Sequence, residues 1–130
     1  MSKAFFGLAV ILTNLLLFSC TKKEKVEQLQ CQLEAVGEKI NNDNISIIYT
    51  IEGEGSYEIE SWIFLAPEGE INTHPLKLPI SDTVSFTGQI VPKTTAKVRV
   101  NDGWVRISFK AQAGESVFSG SDKCEQHIYP

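Results

Sequence analysis

The apolar positions of this chain fall into two regimes. From Ala4 to Phe18 nearly every residue is apolar, interrupted only by Gly7, Thr13 and Asn14. From residue 26 onward, apolar residues instead alternate with polar ones in short stretches. The first regime has the layout of a secretory signal, a positive start (here Lys3) followed by an apolar run of about 7–15 residues. A membrane-spanning helix needs about 20, and Thr21-Lys22-Lys23-Glu24-Lys25 cannot continue one.

The second regime predicts strands. Ile45 to Glu52 is rich in Ile, Tyr and Thr, the residues that favour pleated structure. Tyr57 to Ala66 predicts another strand, with Tyr57, Ile59, Ser61, Ile63 and Leu65 on one face. Thr83 to Val91 and Ser116 to Ser119 predict two more. Ile71 to Ile80, interrupted by Pro75 and Pro79, predicts at best an edge strand. The turn chemistry of Asn41-Asn42-Asp43-Asn44, Gly53-Glu54-Gly55-Ser56 and Pro67-Glu68-Gly69 separates these runs. Asp102-Gly103, between the runs Ala96–Asn101 and Trp104–Ala111, is a strong hairpin signal. It would set Val100 opposite Val105, Val98 opposite Ile107 and Ala96 opposite Phe109 on a core side. Arg99 would then face Arg106 on the other.

Residues 26–40 carry two periods at once. Val26, Leu29, Leu33, Val36 and Ile40 fit a helix, whereas Leu29, Cys31, Leu33 and Ala35 alternate as in a half-buried strand. Cys31 shares the apolar face only in the strand reading, which tips the balance that way. The whole pattern predicts an all-β chain: one antiparallel β-sandwich, immunoglobulin-like, of about seven strands.

Leu17-Phe18-Ser19-Cys20 resembles the lipobox of bacterial lipoproteins, with Leu at −3 and Ser at −1 of the cysteine. The resemblance implies a signal peptide over residues 1–19, acylation of Cys20 by palmitate-like chains and a tether over 20–25, which leaves residues 26–130 for the β-sandwich domain read from the strand pattern. Each buried CH₂ of lipid adds about 0.8 kcal/mol, so a multi-chain anchor would be effectively permanent. The implied address is the bacterial envelope, at the outer membrane. Thr21-Lys22-Lys23 lacks the acidic run associated with surface export, which favours the periplasmic face over surface display.

Charge and cysteine count sharpen this picture. Residues 20–130 carry 11 basic against 16 acidic side chains, which argues against a nucleic-acid partner. With Cys20 acylated, Cys31 and Cys124 remain, and an exported chain most simply joins them in a disulfide.

Candidate chemistry is sparse. His74 and His127, the only histidines, lie far apart and outside any metal-ligand spacing. Neither a nucleophile elbow nor a phosphate loop is present, and no cofactor motif is visible. The carboxylates Glu52, Glu54, Glu58, Glu60, Glu68 and Glu70 fit solvated strand faces and loops. The reading is therefore non-enzymatic: an accessory or interaction domain for an envelope protein partner, held at the membrane by its lipid. The apposition of Arg99 and Arg106 suggests an alternative. Like charges directly opposite cost up to about 1 kcal/mol, so either Glu58 and Glu60 on a neighbouring strand compensate them, or an anionic glycan or lipid binds there. Lys97, Arg99, Trp104, Arg106 and Lys110 would form that site. A structural lipoprotein with no specific ligand is the third reading.

The domain also resembles the MmpS-type β-sandwich envelope proteins. Tyr49-Thr50-Ile51-Glu52-Gly53-Glu54-Gly55 is similar to their Y-x-V-x-G-x-G opening. Leu78-Pro79 resembles their Leu-Pro segment, and Val105-Arg106-Ile107-Ser108-Phe109 with Gly114-Glu115-Ser116-Val117 resembles their closing strand pair. That resemblance implies a membrane-held sandwich assisting a transport partner, although here a lipobox stands in place of a spanning helix.

Overall fold

Period-two patterning carries almost the whole of the domain. A computed structural model describes residues 27–128, and the expected signal peptide, lipidated Cys20 and tether lie outside them. Six strands run in chain order: β1 (Leu29–Val36), β2 (Ile40–Ala66), β3 (Gly69–Thr73), β4 (Ile80–Ile90), β5 (Lys93–Ala113) and β6 (Ser116–Gln126). All neighbours are antiparallel. The strand reading of residues 29–36 holds, with Leu33 and Ala35 buried. The described residues hold six strands rather than about seven because β2 and β5 run unbroken for 27 and 21 residues.

Three expected turns are therefore corrected. Gly53-Glu54-Gly55-Ser56 lies inside β2, and Asp102-Gly103 lies inside β5. The two segments pair with each other, Gly55 opposite Gly103 and Ser56 opposite Asp102. A Cβ on Gly55 would stand 2.0 Å from the Asp102 carbonyl oxygen, and one on Gly103 would stand 2.0 Å from that of Glu54. Both glycines have positive φ, 90° and 131°. Only glycine allows so close a backbone crossing in that conformation. The long-range partner takes up the glycines that a local hairpin would have used. Asn41-Asn42-Asp43-Asn44 likewise forms an irregularity within β2, where Asn42 Oδ1 accepts the Asn44 N–H at 3.0 Å.

The long strands double over, so one continuous sheet makes both layers of the sandwich. The first layer contains β4, residues 40–51 of β2, residues 103–113 of β5, and β6. The second contains β3, residues 57–66 of β2, residues 93–100 of β5, and β1. Tyr49 and Phe64, from opposite halves of β2, stack with ring centroids 5.1 Å apart. This contact places one half of the strand over the other.

Along each long strand the numbering of the inward side chains changes parity, and bulges do this. Asn101 has no opposite residue on β2, and Glu60 has none on β5. One extra residue moves every later side chain to the other face. Ala96, Val98 and Val100 therefore point inward, as do Val105, Ile107 and Phe109 after the bulge. On β2, Ile45, Ile47, Tyr49 and Ile51 are buried, then Trp62, Phe64 and Ala66. The single apolar face expected over residues 57–65 is thus broken at Glu60, leaving Ser61, Ile63 and Leu65 only half-buried on the outer side.

Polar side-chain groups also lie in the core. Thr94 is fully buried and accepts a hydrogen bond from Trp62 Nε1 at 2.9 Å. The Tyr49 hydroxyl is buried with no partner in bonding geometry. Burial pushes its pKa up, opposed by the backbone of Lys93.

Candidate functional site

Apart from Cys20, which lies outside the described residues, each predicted site residue is placed by the ladder around β5. Cys31 lies opposite Val98 on one side of the bend, and Cys124 opposite Val105 on the other. Doubling the sheet brings β1 and β6 together, and the two cysteines form a disulfide with their Cα atoms 6.1 Å apart. The bridge joins the two layers along a seam. The same seam holds the Glu34 N–H on Asp122 Oδ2 at 3.0 Å. At its end Gln126 Nε2 donates to the carbonyls of Glu27 and Asn101, each at 3.1 Å.

Loss of the hairpin separates the two arginines. Arg99 stands opposite Glu58 on β2 and Gln30 on β1, not opposite Arg106. Its guanidinium pairs with Glu60 at 2.5 Å and with Glu58 at 3.8 Å. These are the two acids named from the sequence as compensating partners. Lys97 and Arg99 line a recess of about 180 Å³ with Gln30, Cys31, Gln32 and Glu60.

Arg106 stands between Glu52 on β2 and Lys123 on β6. Its Nε donates to Glu52 Oε1 at 2.8 Å. The guanidinium carbon also lies 5.5 Å from the centre of the Trp104 ring, and Lys123 Nζ lies 5.9 Å from it. A cation this close to an indole is attracted by the negative ring face. Lys123 pairs in turn with Glu125 at 3.2 Å. A separate open recess of about 450 Å³ carries Glu52, Arg106, Lys110 and the serines Ser108, Ser119 and Ser121.

The five-residue basic face expected from the sequence is therefore two groups, Lys97 with Arg99 and Trp104 with Arg106 and Lys110, on different layers of the sandwich. Among the described residues Lys97 and Lys110 make no ion pair, whereas both arginines do. Glu52 and Lys123 join Arg106 only through strand register, and no local spacing in the sequence points to them.

The histidines are also separate. His74 is exposed in the loop between β3 and β4. His127 Nε2 lies 2.9 Å from Glu125 Oε2, and Nδ1 lies 3.9 Å from Asp102 Oδ1. Hydrogen bonds from His127 and then Lys123 hold the Glu125 carboxyl below its ordinary range. Among the described residues no group of three or more His, Cys, Asp or Glu side chains is arranged to hold a metal ion.

The sheet edges differ in how they are covered. β1 and β6 meet along the disulfide seam, and β3 has only five residues. β4, eleven residues long, pairs with β2 alone, and its other edge has no partner among the described residues. Searches against protein-family models, curated proteins and solved structures return no match for this chain.

Proposed function

We propose that this chain is a non-enzymatic, lipid-anchored protein of the bacterial envelope, held through Cys20 at the periplasmic face of the outer membrane. Its sandwich acts as an accessory or interaction domain. The observation that supports the interaction role is the open edge of β4. Exposed edges are commonly blunted with lysines, prolines or very short strands. β4 is eleven residues long, and Asp82 is its only charged residue. Such an edge offers a row of backbone donors and acceptors to another strand. The Cys31–Cys124 bridge supports the address, since disulfides persist in oxidising compartments.

The test is capture of the acylated protein from gently solubilised membranes, with Cys20→Ser as the unanchored control. A stoichiometric protein that comes down with the wild type, and less with the control, is the expected result. An anchored protein that comes down with neither another protein nor a second copy of itself overturns the interaction role.

A second reading draws on the cations around Trp104, which suit an anionic glycan or lipid head group. Glu52 already occupies Arg106, so this reading ranks below the first.

A further inference from the structure

We infer that the partner at the β4 edge is a second copy of this chain, joined β4 to β4 in antiparallel register about a two-fold axis at Ser85. This rests on the interaction role proposed above and names the occupant of that edge.

The argument lies in what a symmetric pairing sets opposite what. An isologous contact must be self-complementary, because each residue meets its counterpart across the axis. With Ser85 facing its own copy, Val84 meets Phe86 and Ile80 meets Ile90. All four are half-buried on the core side of β4 and pack against the core cluster. Two apolar rows would therefore continue each other across the joint, and such cross-strand pairs are the units that stabilise a sheet. Charge also agrees. Asp82, the only charged side chain on β4, falls opposite Gly88, so no like charges meet. The axis residue Ser85 is exposed and small enough to face itself without crowding. The first layer of each copy would merge into one eight-stranded sheet, counting β4, β2, β5 and β6 from each side. Anchoring both copies to one membrane confines them and raises their effective concentration.

The test uses two full-length copies with different tags, co-expressed and captured from solubilised membranes. Wild-type copies capture each other. Ser85→Lys in both copies sets two ammonium groups face to face and lowers capture about fivefold, as does Ser85→Glu in both with two carboxylates. One Ser85→Lys copy with one Ser85→Glu copy restores capture, because the axis then holds an ion pair. Residue 85 is exposed, so each variant keeps its β-rich circular dichroism and its disulfide. Self-capture insensitive to all three combinations overturns the β4 register. Capture of a different envelope protein, lost with Ser85→Lys and without self-capture, overturns the second copy and leaves the interaction role standing. Capture of nothing overturns both.

Discussion

The Thr94 hydroxyl ties two neighbouring strands together through Trp62. It accepts the indole N–H at 2.9 Å and donates to the carbonyl of Ile63 at 2.8 Å. Both side chains are buried, so water does not replace either partner. Thr94→Val keeps the shape and removes the hydroxyl, leaving the indole N–H unsatisfied. We expect a loss of about 2 kcal/mol, in the range for an orphaned buried donor. Urea unfolding with an unchanged slope checks it. A loss within error of zero means that the indole finds another acceptor.

Tyr49 presents the opposite case. Its hydroxyl is buried without a bonded partner, so Tyr49→Phe removes a cost and keeps the stack on Phe64. We expect stability unchanged or raised by up to about 1 kcal/mol at neutral pH. The pH dependence has a definite sign. The folded-state pKa lies above the unfolded value of about 10. The unfolded chain therefore gives up this proton first, and the associated stability is present below pH 10 and lost as pH rises through the folded-state pKa. Tyr49→Phe makes the alkaline decline shallower. An identical decline in both proteins would show that Tyr49 ionises as easily in the folded chain.

Opening the Cys31–Cys124 bridge frees a loop with a sequence separation of 93. The chain-entropy model gives about 4–5 kcal/mol for loops near that length. The pair Cys31→Ser with Cys124→Ser is expected to lose at least about 4–5 kcal/mol, because the hydroxyl left at the buried Cys124 position adds a desolvation cost to the lost loop constraint. Denaturant titration of the oxidised, reduced and double-serine chains separates loop entropy from packing, since the reduced chain keeps both sulfurs.

Gly103→Ala probes the bend. The added methyl would meet a backbone oxygen, which cannot rotate away as a side chain would, at a φ of 131°. Strain of about 1–3 kcal/mol and overpacking of similar size act together. We expect a loss above about 3 kcal/mol, seen as a melting point well below that of the wild type. A loss under about 1 kcal/mol would mean that the two strands separate at the bend without penalty.

Alternation in the sequence located the inside of this domain even where it misplaced the path of the chain. Val98, Val100, Val105 and Ile107 were expected inward and are inward. A two-residue hairpin and a one-residue bulge both reverse the parity between Val100 and Val105, so the pattern is the same for either. What differs is the partner, and the partner of Asp102-Gly103 is Gly53-Glu54-Gly55-Ser56, nearly fifty residues earlier. Two glycine segments that each suit a tight turn also suit a close crossing, and no local rule separates the two. The same ambiguity put Arg99 opposite Arg106. Glu58 and Glu60 were legible as partners for Arg99 because strand faces alternate. Glu52 beside Arg106 was not, because it depends on a register set across the bend. Cys31 and Cys124 were legible from compartment and count alone, since with Cys20 set aside only one pairing within the chain was left.

The seam between β1 and β6 sets how this domain bears load. A pull from the amino-terminal side enters at Glu27 and runs through only Leu29 and Gln30 of β1 before it reaches Cys31. There a covalent bond passes the tension to β6. The hydrogen bonds beyond Cys31 are not peeled one after another, because both layers take the strain together. A domain clipped at this point resists a pull on its amino-terminal end in the way a riveted strap does, and it loses that resistance in a reducing environment.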